Sequence, residues 1–241
     1  MHQRRIVGFT SFVLAVAFNA FGGPAAGAVI PWTVRGVSAE SAQIANLGKA
    51  QDLLDGKTLA HAEVTSTFAV LNFNLSGANV NGAAGSTTNF PATSVGYQTN
   101  FAEEATAWVQ IPAAGTYTFA VGYDGGYRLT IQGNTAQSTG QGHGQIDVLP
   151  MTFAQPGAYP VDLVYFEHTG TAELQLFATP GNYSSITAMG ANFRLVNDTS
   201  NGGLALSSAP GPQSGLTVPE PSSLALVGVL AIGALGRRRI L

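Results

Sequence analysis

The 241-residue chain contains no cysteine, which excludes disulfide scaffolds, thiolate zinc sites, iron–sulfur clusters and cysteine nucleophiles. Charge is also scarce. Only 10% of residues are Asp, Glu, Lys or Arg, against roughly 25% in ordinary soluble domains. That composition argues against a disordered polyelectrolyte and against a nucleic-acid partner, which calls for clustered Lys and Arg. No Gly-x-Ser-x-Gly elbow and no phosphate-binding P-loop occurs. His61, His143 and His168 lie far apart without metal-ligand spacing. What is abundant is glycine, 30 residues with 12 prolines, the composition of many short strands and turns.

Both ends stand apart from the body. Residues 1–28 read as a secretory signal peptide: Arg4 and Arg5 precede an apolar run from Ile6 to Phe21, and Ala26-Gly27-Ala28 supplies the small-residue cleavage pattern. At the other end, Val218-Pro219-Glu220-Pro221 precedes an uncharged stretch from Ser222 to Gly236, then Arg237-Arg238-Arg239. As a helix those fifteen residues reach roughly 22 Å, short of a hydrocarbon core of roughly 30 Å. The short transmembrane helix therefore spans only with help from flanking residues or a thinned bilayer. The arginines stay cytoplasmic, and the two prolines around Glu220 hold an extended, protease-accessible segment outside.

This tail, 218–241, resembles the PEP-CTERM sorting signal. The resemblance implies a membrane transpeptidase-like partner, the exosortase, that recognises Pro219, Glu220, Pro221 and the Arg237, Arg238, Arg239 cluster. It also implies an exosortase-bearing Gram-negative bacterium, often one that makes exopolysaccharide, and transient residence in the inner membrane through the C-terminal helix. The body left between the ends holds five basic residues against twelve acids, thirteen less Glu220, for a net −7. An acidic exported body suits neutral sugars or divalent cations better than anionic polymers.

Within the body, Ser38 to Leu54 reads as one helix capped by Ser38, with Glu40 in its first turn and Gly56 at its end. From His61 the period becomes two. Residues 64–75 are expected as a strand, and 76–100 as a loop whose core residues are Phe90 and Tyr97. A strand array follows over 106–178: Ala107–Ile111, Thr116–Tyr123, Tyr127–Ile131, Ile146–Val148, Met151–Phe153, Tyr159–Glu167 and Ala172–Ala178. A flexible stretch is expected from Gly133 to Gly144. Phe193–Val196 and Leu204–Leu206 add late strands, and 207–217 is a linker. The expected domain is a mainly β, antiparallel sandwich over 60–206, behind an N-terminal segment, 29–59, that carries the helix. Its expected core contains Tyr117, Phe119, Val121, Leu129, Ile131, Leu163, Tyr165, Leu174, Leu176 and Phe193.

Within 106–178, Gly115, Tyr117, Phe119, Asp124, Gly126, Arg128, Leu129, Gly133, Gly157, Tyr159, Tyr165, Glu167, Ala172 and Leu174 form a pattern that resembles the protective-antigen (PA-fourteen) β-sandwich domain. The resemblance implies a calcium ion that ligates sugar hydroxyls, held by paired aspartates. Asp124 stands at the first of those positions as candidate metal ligand, but Gly125 occupies the second, and calcium wants six to eight oxygens. Asn134 is the second candidate ligand-binding residue. Alternatively, Asp124-Gly125-Gly126 is a hairpin turn. Arg128 is expected to pair with a carboxylate such as Glu167. Trp32, Trp108 and Tyr127 are aromatic candidates for stacking on sugar rings. Asn74, Asn182 and Asn197 lie in glycosylation sequons. The expected function is a non-enzymatic surface or matrix protein that binds glycan or exopolysaccharide. The rivals are a glycan-processing hydrolase using Glu167, which lacks a visible second acid, and a structural envelope protein with a vestigial site.

Overall fold

A computed structural model describes residues 30–39, 43–58, 60–75, 88–95, 99–189 and 193–208. The expected signal peptide and the sorting tail lie outside them. The elements are β1 (Trp32–Ala39), α1 (Leu47–Leu54), β2 (Ala60–Phe68), β3 (Asn72–Asn74), β4 (Phe101–Ile111), β5 (Gly115–Ile131), β6 (Asn134–Phe153), β7 (Gly157–Glu167), β8 (Glu173–Pro180), α2 (Ile186–Met189), β9 (Arg194–Leu195) and β10 (Leu206–Ser207). All pairings between these strands are antiparallel. The strand order is β2-β1-β4-β7-β5-β8-β3, with β6 on β5, β10 on β4 and β9 on β8. No described helix is long and apolar enough to cross a membrane.

The organising element is the ribbon of β5 and β6. β6 follows β5 from Gly115–Phe153 to Ile131–Asn134. On its other edge β5 changes partner: Tyr117–Asp124 pairs with β8, and Gly126–Ile131 pairs with β7. One bent strand thus belongs to both halves of the sandwich, and the bend falls at Asp124-Gly125-Gly126. Alternation sets the faces. Val34, Ala105, Leu163 and Leu129 form one buried cross-strand row, and Phe119, Val121, Leu176 and Ala178 come from the opposing half. On the outer face of the first half, α1 covers Val37, Ala39, Ala102, Val164 and Phe166.

The sandwich agrees with the sequence reading, but several elements differ. The expected helix from Ser38 is a strand followed by a short helix. Val34 faces the core and Val37 the α1 side, Ser38 is buried within β1, and of the described residues in this stretch only Leu47–Leu54 is helical. Asn46, not Ser38, caps it, its Oδ1 accepting from the Lys49 amide at 2.9 Å. The sheet consequently begins at Trp32, upstream of residue 60. The stretch from Gly133 to Gly144, read as flexible, is the start of β6 and pairs with β5. Phe101–Ala105, outside the expected strand array, opens β4. Of the expected core, nine residues are buried. Phe193 is half-buried and stacks on Phe177, ring centroids 3.7 Å apart. Phe90 lies at the centre of an aromatic cluster, 5.1 Å from Phe73 and 5.2 Å from both Phe101 and Tyr165. Tyr97 lies outside the described residues.

Candidate ligand site at the bend of β5

Asp124 ends the part of β5 that pairs with β8, opposite Glu173. It is 5% exposed, and its Oδ2 accepts a hydrogen bond from the Thr171 hydroxyl. Tyr165, fully buried on β7, sets its hydroxyl against the Asp124 carbonyl oxygen and 3.1 Å from Glu167 Oε2. The phenol has one proton for two acceptors, and a carbonyl oxygen can only accept. With that proton on the carbonyl, the Glu167 contact requires a proton on Glu167. Electrostatics agree. Burial, and then the neighbouring Asp124 charge, push the Glu167 carboxyl up to about 8.

Glu167 is 1% exposed. A carboxyl sealed in this way does not face solvent. Nor does it pair with Arg128 as expected. Arg128 lies opposite Val164 and donates to Gln51 Oε1 of α1 at 2.5 Å. The alternating pleat sends Arg128 and Glu167 to opposite faces of the sheet.

The bend does not fit calcium. Gly125 has φ +96°, and a Cβ there would overlap the Phe166 carbonyl oxygen and come within 3.0 Å of Glu167 Oε2. A second aspartate has no room. The Asp124 carboxylate already serves Thr171, and among the described residues no three His, Asp or Glu side chains are grouped to hold a metal ion. The hairpin-turn reading is also corrected: the chain passes straight through as a bent strand, and the tight turn lies at Gln132-Gly133, φ +52° and +76°.

The remaining candidates are dispersed. Asn134 is exposed beside that turn, ten residues along the chain from Asp124, and β5 separates the two by roughly 20 Å. His61 and His168 are not brought together, and the side chain of His143 is not among those described. Trp32 and Tyr127 are sealed in the core; only Trp108 is partly open, on the outer sheet face. Asn197 is a structural pin, its amide donating to the carbonyls of Ile30 (2.8 Å) and Ala69 (2.7 Å). The sequence reading missed Thr171 and a further buried acid, Glu103, whose Oε1 accepts from the Ala92 amide at 3.1 Å. The alternation of β4 around Ala105 and Val109 is the signal that places Glu103 inward.

Residues 217–239 match the PEP-CTERM protein-sorting motif. No curated protein matches the chain. Among solved structures it is similar to the PA14 domain of an antifreeze protein, MpAFP, at 21% identity and TM-score 0.53, covering 73% of this chain and 89% of that one. It is also similar to a PA14 sugar-binding domain from an RTX adhesin, at 19% identity and TM-score 0.50, covering 70% and 95%. The chain therefore combines a PEP-CTERM sorting motif with a β-sandwich of the PA14 architecture.

Proposed function

We infer that this is an exported surface protein, processed by an exosortase near Pro219-Glu220-Pro221, whose sandwich is a non-enzymatic glycan-binding module. The observation that carries the reading is the coupling, in one chain, of the sorting motif at 217–239 to a fold shared with a sugar-binding domain. The last described strand ends at Ser207, ten residues before the motif, so the sandwich is exported on the same chain as the tail until processing parts them. Sealing of Glu167 favours binding over hydrolysis.

Two measurements test it. Alanine at Pro219, Glu220 and Pro221 should leave an unprocessed, membrane-retained precursor; a native surface protein ending in Arg239-Ile240-Leu241 would overturn the sorting half. The purified full-length protein should be retained by glycans on an array or by the exopolysaccharide of the producing cell. Failure to bind any of these would leave a structural envelope protein as the better reading.

A further inference from the structure

The outer face of the first half-sheet is only partly covered by α1. Beyond the helix lies an open cavity of about 560 Å³, within the range of small-ligand sites, roughly 300–1,000 Å³. Its floor is a cross-strand row, Thr33–Thr106–Asp162–Thr130, one residue from each of β1, β4, β7 and β5. Four strands at about 4.8 Å give a floor roughly 14 Å long, the reach of an oligosaccharide rather than of a single ring. Glu104 flanks the row on the side of α1 and Trp108 on the other. The turn at Gln132-Gly133 and the β10 strand wall it in.

We propose that this cavity is a binding site for a neutral oligosaccharide, with Trp108 as the stacking platform and Asp162, Glu104 and the threonines as hydrogen-bond partners of its hydroxyl groups. The proposal rests on the glycan-binding reading and locates its site away from Asp124. Three observations carry it. Asp162 Oδ1 is buried without a hydrogen-bond partner, an acceptor whose desolvation is offset only if a donor arrives. Among the described residues neither acid is in an ion pair: Arg35 donates to Glu63 Oε1 (2.6 Å) and the Leu54 carbonyl (2.7 Å), and Arg128 to Gln51, so both arginines act on Glu104, and Arg128 on Asp162, only at a distance. Two neighbouring carboxylates outside any ion pair repel uronates and sulfated sugars and accept from neutral hydroxyls. Finally, the hydroxyl-bearing row stands back to back with the apolar row Val34–Ala105–Leu163–Leu129, so the fold draws on the inner face of these strands and leaves the outer one for recognition.

The test uses the full-length protein and a panel of neutral and uronate-bearing oligosaccharides. The chain has two tryptophans and Trp32 is fully buried, so acrylamide quenching of fluorescence reports Trp108. Neutral oligosaccharides should protect Trp108 from the quencher, uronates should not, and chelator should leave the protection unchanged. Asp162→Ala and Trp108→Ala should each weaken binding about tenfold or more with the melting midpoint little altered. Glu104→Gln, at the half-exposed rim, serves if either variant fails to fold. Glycan binding that leaves Trp108 unprotected and Asp162→Ala undiminished overturns the site while the glycan-binding reading stands. Chelator-sensitive binding overturns the direct hydroxyl contacts, and absence of any glycan binding overturns site and reading together.

Discussion

Replacing Glu167 by Gln should change how stability depends on pH. In the folded protein burial and the Asp124 charge hold the Glu167 proton to about pH 8, whereas the unfolded chain releases it near 4.5. Between those values the folded state binds the extra proton, so the stability contributed by Glu167 is complete below about pH 4.5 and is lost as pH rises toward 8. At about 1.4 kcal/mol per pH unit the loss has a ceiling of about 5 kcal/mol, and relaxation of the protein around the ionised carboxylate reduces it to roughly 2–3 kcal/mol. Gln imitates the protonated acid, since its amide can still donate to Tyr165 Oη, and it does not titrate. At pH 5 the two proteins should melt together; at pH 9 Glu167→Gln should be the more stable, by about 5–10 °C at the usual few degrees per kcal/mol. Glu103 also carries a buried, strongly raised carboxyl, but it is common to both proteins and drops out of the difference. Thermal melts of both proteins from pH 5 to 9 decide the matter: parallel curves would mean that Glu167 is ionised throughout and that Tyr165 donates to it.

Gly125→Ala should destabilise the sandwich by about 3 kcal/mol or more, because it combines φ +96° with an overlap on the Phe166 carbonyl; a urea midpoint within error of wild type would refute the tight bend. Asn197→Ala removes the two bonds to Ile30 and Ala69 and the acceptor at 3.1 Å for the Leu206 amide. It should cost about 2–4 kcal/mol by the same measurement, and an unchanged midpoint would show that the Asn197 side chain does not hold these segments.

The sandwich was legible because its strongest signal is local. Thr116–Tyr123 alternates without a break, and Tyr117, Phe119 and Val121 are buried where the period puts them. The helix boundary was not, because Ser, Ala and Gln between Ser38 and Asn46 are compatible with helix while tertiary pairing with β2 and β4 makes Trp32–Ala39 a strand. Phe101-Ala-Glu-Glu-Ala failed for the related reason that its composition favours helix and only the sheet context decides. The Gly/Gln/Ser-rich start of β6 offers no apolar alternation at all, and it is ordered by its ladder to β5. Among site residues, Trp108 was visible as an aromatic. Asp162 and Glu104 were not, since their meaning depends on three strands that bring Thr33, Thr106 and Thr130 beside them.

The sequence offers two readings of Asp124-Gly125-Gly126, a hairpin turn and a metal site, the structure adds a bent strand, and each asks something different of Gly125. A hairpin turn needs its positive φ, a metal site needs a carboxylate there, and a bent strand crossing between half-sheets needs the absence of a Cβ. The structure satisfies the first condition and the third but not the second: φ is +96° and the Phe166 carbonyl occupies the space of a side chain. The same closeness seals Glu167 and ties Asp124 to Thr171. What joins the two halves of the sandwich therefore also closes its bend to ligands. Among the described residues, the β1–β4–β7–β5 face beyond α1, where Asp162, Glu104 and the threonines line a cavity beside Trp108, is the surface to which we assign recognition.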